Sequence, residues 1–123
     1  MGSKRTNALK FPPATILRMK ARDRGCIFCQ MGYHMPEGED AGPYLLQAMH
    51  YIGRAQGGLG IEQNGAMGCI WHHQLMDNGN QGLHEEMQEL MANYLRTHYV
   101  GWDEIKKTYD KWRNMDVYQS GKV

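Results

Sequence analysis

Long apolar runs, cysteine and net charge are all scarce in this 123-residue chain. No apolar run approaches the roughly 20 residues of a membrane span. No hydrophobic segment follows Met1-Gly2-Ser3-Lys4-Arg5 to make a signal peptide. The expectation is therefore a cytoplasmic protein that meets no membrane. Three cysteines, an odd number in a chain without a secretory signature, argue for metal binding or catalysis over disulfides. The apolar content of 41% and charged content of 22% read as globular, and the length suits one domain with a modest core.

The net charge of +1 hides an uneven distribution. Lys4, Arg5, Lys10, Arg18, Lys20, Arg22 and Arg24 all precede Cys26, with only Asp23 opposing them. Two readings stand: a basic arm that grips phosphates through Arg18, Arg22 and Arg24, or a solvated helix face.

Proline is tolerated in the first turn of a helix and glycine ends one, which predicts a helix from Pro13 to Asp23 before Gly25. A CxxC turn follows at Cys26–Cys29, then a loop from Gln30 to Gly42. Strands are expected at Tyr44–Ile52 and Asn64–Ile70, separated by the Gly-rich "GRAQGGLGIEQ", with a short helix at Trp71–Asn78. Leu83, Met87, Leu90, Met91, Tyr94 and Leu95 fall on one face of a further helix. Trp102, Ile105, Tyr109 and Trp112 suggest another. The ten methionines read as adaptable packing residues. His34, His84 and His98 have no matching partners and read as ordinary surface or boundary histidines.

Cys26-x-x-Cys29 and Cys69-x-x-His72 are half-sites of equal spacing. A two-residue gap lets one tight turn present both ligands to one tetrahedral ion. Together they predict a structural Zn²⁺ site that closes a long loop and staples a small core. His73 and Asp77, four residues apart, would share one face of a helix and could hold a second ion.

The order His50, Asn64, His73 within "AMHYIGRAQGGLGIEQNGAMGCIWHH" resembles the HNH endonuclease family. The upstream "RDRGCIFC" resembles the first zinc half-site of its zinc-containing branch, and "YLRTHYVGW" is similar to the C-terminal helices of phage and prophage members. The resemblance covers about residues 12–78, with C-terminal helices over about 83–112, in one α+β domain spanning 1–123. It implies a ββα-metal fold and metal-dependent hydrolysis of DNA phosphodiesters. His50 would be the general base, and Asn64 would hold the loop and orient His50. His73 and Asp77 would hold a catalytic divalent ion such as Mg²⁺, and Arg54 would contact a phosphate.

The sequence departs from the family twice. His72 stands where a cysteine is usual. Met49 stands where a His or Asp ligand often precedes the base, and a thioether is a poor ligand for a hard cation. Met49 keeps a second class open: a zinc-stapled nucleic-acid-binding or inhibitor-type protein-interaction module that lost the chemistry. A phage or mobile-element protein is then an expected partner.

Overall fold

The computed structural model describes residues 3–35, 45–78 and 82–110. Its helices are α1 (Lys4–Leu9), α2 (Pro13–Asp23), α3 (Ile27–Gln30), α4 (Ile70–Asn78) and α5 (His84–His98). Its strands are β1 (Leu46–His50) and β2 (Gly65–Cys69). Single helical turns lie at Arg54–Gln56, Glu62–Asn64 and Trp102–Glu104. The described residues thus form a small α+β fold around a two-stranded antiparallel sheet. The register runs from Leu46 opposite Cys69 to His50 opposite Gly65.

Local chemistry explains the boundaries. The Ser3 hydroxyl caps α1 by accepting from the Thr6 amide. Pro13 opens α2 at its first turn. Arg24 ends the helix in the left-handed region at φ 62°, its amide reaching back to the Lys20 carbonyl. The Cys26 sulfur caps α3 by accepting from the Cys29 amide at 3.4 Å.

All five residues of β2 are buried, because α2, α3 and α4 pack on it besides its partner strand. A strand covered on every side has no solvent face. That is why Gly65–Cys69 carries no polar side chain instead of alternating. Gly68 leaves room for the Met49 side chain, which would collide with any Cβ there. The core gathers Ile27, Phe28, Met49, Met87, Met91, Leu95 and Trp102. Met87, Met91 and Leu95 come from the α5 face that the apolar period predicts.

The expected helix through Trp102, Ile105 and Tyr109 does not form over the described residues. After one turn the chain extends, and Thr108 bridges Gly58 while Tyr109 donates to the Gly57 carbonyl at 2.7 Å. Trp102 is buried because it packs against Tyr51 and carries the Lys107 ammonium 4.1 Å from its ring centroid. Its exposure is set by these contacts and not by a helical stripe. Trp112, and Tyr44 of the expected strand, lie outside the described residues.

Arg22 is also placed differently from the basic-arm reading. Thr15, Met19 and Asp23 are the buried residues of α2, and Arg22 flanks them. The Arg22 side chain is 10% exposed and its guanidinium pairs with the fully buried Asp23 carboxylate. It also donates to the carbonyls of Glu62 and Gly65, at 2.8 and 2.7 Å, and to the Tyr99 hydroxyl at 2.9 Å. Asp23 in turn accepts from the Tyr94 hydroxyl and the Met67 amide. Every direction of the fork is used internally, so Arg22 ties α2 to β2 and to the end of α5 and has no donor left for a phosphate. Removing one partner of such a pair strands the other charge. Arg22→Ala is therefore expected to lower the unfolding free energy by about 3–5 kcal/mol. Urea unfolding followed by circular dichroism checks this, and a loss below about 1 kcal/mol would return Arg22 to the class of exposed surface arginines.

Candidate functional site

Two clusters of chemistry-bearing side chains flank the hairpin. The first sits where α3 begins and β2 runs into α4. Cys26, Cys29, Cys69 and His72 offer ligand atoms that all lie within 4.8 Å of one another. His72 Nδ1 is 3.4 Å from the Cys26 sulfur, 3.5 Å from Cys29 and 3.3 Å from Cys69. The sulfurs of Cys29 and Cys69 are 3.7 Å apart. Around a tetrahedral zinc with bonds of about 2.3 Å to sulfur and 2.0 Å to nitrogen, those edges come to about 3.8 and 3.5 Å. The cluster therefore has the dimensions of a zinc site.

Its surroundings fit as well. Nε2 of His72 donates to the Tyr33 carbonyl at 2.5 Å, which leaves Nδ1 free of a proton and aimed at the three thiols. Burial, and then the neighbouring Cys26 and Cys69, push the Cys29 thiol far above its ordinary value. Packed thiols need a cation among them to lose their protons and become thiolates. All three cysteines are free of disulfides. Among the described residues this is the one group of three or more metal-capable side chains.

The second cluster lines a cleft of about 700 Å³ on the other side of the hairpin. His50, Arg54, His73 and Asp77 all contribute to its walls. One residue along α4 from the buried His72, His73 points elsewhere, as the ~100° step of a helix requires. Its Nδ1 bonds the Gln47 side-chain oxygen, and its Nε2 faces an Asp77 carboxylate oxygen at 3.2 Å. With Nδ1–H given to Gln47, a neutral His73 presents a lone pair to a carboxylate. Two acceptors facing each other need a proton or a cation between them. Adjacent ligands of an octahedral Mg²⁺ are about 3.0 Å apart, so the pair could share such an ion. It supplies only two protein ligands. Met49, one residue before His50, is 1% exposed and packs against Gly68, and where it borders the cleft it offers only a thioether, a poor ligand for a hard cation.

His50 ends β1, half-buried, with Nε2 bonded to the Leu9 carbonyl at 2.7 Å. Burial holds its imidazole below the ordinary value of 6.5, aided by the charges of Arg54 and His73 and opposed by the Leu9 bond. Asn64 does not reach it. The Asn64 side chain accepts from the Ile52 amide and donates to the carbonyls of Ile52 and Leu59. It clamps the Gly-rich loop, while the Asn64 carbonyl accepts from the Tyr51 amide next to His50 at 2.8 Å.

Arg54 is exposed at the cleft rim. Arg18 is 58% exposed and pairs with Glu62 at 2.5 Å, and Arg24 is exposed at the end of α2. Neither Arg18 nor Arg24 lines the cleft. Three contributors were invisible at the level of motif: Gln47, Gln88 and His84, the last of which lines the cleft with Nδ1 bonded to the Met76 carbonyl. The alternation of β1 could have flagged Gln47 as facing out. No local pattern marks His84.

Comparison of the chain with protein-family models, with curated proteins and with solved structures finds no match. The site must therefore be read from its own chemistry. No helix among the described residues is long and apolar enough to cross a membrane.

Proposed function

We propose that the protein is an HNH-type, metal-dependent endonuclease that hydrolyses DNA phosphodiester bonds, on a ββα-metal fold stapled by a structural zinc. The observation that carries the reading is the convergence of His50, His73, Asp77 and Arg54 on one cleft. The antiparallel β1–β2 pair followed directly by α4, which packs on both strands, supports the ββα reading. The tetrahedral dimensions of the Cys26, Cys29, Cys69 and His72 cluster support the zinc.

In this reading a neutral His50 takes a proton from the attacking water. Arg54 at the rim holds a substrate phosphate oxygen by charge-assisted hydrogen bonds. His73 and Asp77 would hold a divalent ion, which when bound supplies charge neutralisation at the phosphoryl group and the leaving oxygen. Asn64 keeps the loop carrying Arg54 in register. Arg18 and Arg24 lie outside the cleft, where they could contact DNA backbone beyond the scissile phosphate.

A second reading has its own observation. The burial of Met49 leaves the ion with two protein ligands, which favours a zinc-stapled DNA-binding or inhibitor-type interaction module without catalysis. Incubating supercoiled plasmid with the protein and Mg²⁺, Mn²⁺, Ni²⁺ or Zn²⁺ separates the two. Relaxed or linear product from the parent and none from His50→Ala is expected. Intact plasmid with every ion selects the second reading.

The acid limb of cleavage should fall below the ordinary imidazole range. A base whose value is lowered stays unprotonated to more acidic pH, so activity is retained through pH 6.5 and lost further down. The same sign governs stability. Between the lowered folded value and 6.5 the unfolded chain binds more protons, so this group's stabilisation is complete above 6.5 and declines as pH falls through that window. An acid limb lying above 6.5 would show that another group is the base.

A further inference from the structure

His50 is held by a segment that precedes the hairpin by some forty residues of chain. Helix α1 ends at Leu9, which is 3% exposed. Its carbonyl accepts from His50 Nε2 at 2.7 Å. Two residues on, the Phe11 ring lies over the imidazole, with centroids 4.2 Å apart and planes inclined by 34°. Lys10 and Phe11 form part of the cleft wall beside His50.

The segment is itself fixed from the far side. The Gly60 amide donates to the Ala8 carbonyl at 2.9 Å. Gly60 also sits so close to the chain that a Cβ there would run into the Lys10 carbonyl and the Phe11 amide. The loop carrying Gly60 is clamped in turn by Asn64, through the Leu59 carbonyl at 2.8 Å.

We infer that Leu9–Phe11 is the positioning element of the cleft histidine: the Leu9 carbonyl selects the His50 tautomer, and the Phe11 ring fixes its orientation. A carbonyl oxygen only accepts, so Nε2 must carry the proton. A neutral imidazole has one proton, so Nδ1 carries the lone pair and is the nitrogen from which His50 can act as base. The Phe11 ring covers one face of the imidazole and blocks the ring flip that would put Cε1 in place of Nε2 at the Leu9 carbonyl and release the tautomer. Asn64 is one step further out, holding the loop that holds the segment. The consequence for rate rests on the nuclease reading. The tautomer does not.

The test uses the full chain with nitrogen-labelled histidine, whose long-range proton–nitrogen spectra report the tautomer at neutral pH. His50 of the parent should be in the Nε2–H form. Phe11→Ala and Gly60→Ala should retain zinc and cooperative unfolding, and His50 should become a mixture of tautomers. Cleavage by these variants should fall about ten- to a hundredfold in kcat with KM unchanged, the scale of a misplaced catalytic group. Phe11→Tyr keeps the ring and should keep both tautomer and rate.

A parent His50 in the Nδ1–H form overturns the inference. So do Phe11→Ala and Gly60→Ala spectra identical to the parent. A rise in KM at constant kcat also overturns it, by making the segment a DNA-gripping arm through Lys4, Arg5 and Lys10. If the parent cuts no DNA, the nuclease reading fails, while the spectra alone still decide whether this segment sets the tautomer.

Discussion

His72→Ala and Cys69→Ser are each expected to yield protein without zinc and without a cooperative fold, and a strong chelator should unfold the parent. The ligands enter from two places, Cys26 and Cys29 at the start of α3 and Cys69 and His72 at the β2–α4 junction. An ion held there would therefore join segments some forty residues apart. Beside it lie Ile27 and Phe28, both essentially inaccessible to solvent. Structural zinc contributes an apparent ~10–16 kcal/mol in small domains. The whole stability of a domain is typically about 5–15 kcal/mol. Losing the metal thus removes as much free energy as the fold has to spare, and leaves three thiols and an imidazole buried together. Elemental analysis should find one zinc per chain, and near-UV circular dichroism should collapse on chelation. Protein that is zinc-free as purified yet melts cooperatively would refute this. If His73→Ala stripped the zinc while His72→Ala were silent, the two neighbouring histidines would have their roles reversed.

His50→Ala should leave fold and zinc intact and slow divalent-ion-dependent cleavage by about a hundredfold or more, the usual contribution of a positioned general base. The side chain is half-buried, contacts Phe11 and Leu9, and touches none of the zinc ligands, so its loss is local. His73→Ala and Asp77→Ala should resemble each other, because their ligand atoms are 3.2 Å apart and would share one ion. Both should retain zinc and lose cleavage, with partial recovery at raised divalent-ion concentration. On the nuclease reading His50→Ala should show no such recovery, since there it removes the base and not a ligand. Quantifying nicked plasmid against ion concentration separates the two behaviours. Equal recovery in all three variants would make His50 a ligand.

What could be read from residues alone is what depends on short range. A CxxC turn and a CxxH turn present their ligands by local geometry. The apolar period of α5 reports a buried face whichever partner covers it. Pro13 and Gly25 bracket α2 by backbone preference. His73 and Asp77 meet because four residues nearly complete a helical turn. The placement of β2 was legible, but its total burial was not, since covering both faces of a strand takes neighbours from elsewhere in the chain.

Tertiary packing decided the rest. Arg18 and Arg22 lie one turn apart on α2, and only the placement of Asp23, Glu62, Gly65 and Tyr99 drew Arg22 inward as a buried tie while Arg18 stayed 58% exposed. The spacing of Trp102, Ile105 and Tyr109 fits a helix. The extended pairing of Thr108 with Gly58 won because the loop offered backbone partners there. Asn64 was expected to orient His50, and its hydrogen bonds instead go to Ile52 and Leu59, while His50 bonds Leu9. A side chain's spacing in the sequence sets which face of its own element it occupies. Which partner meets it there depends on contacts between segments forty residues apart, and those exist only once the chain has closed on itself.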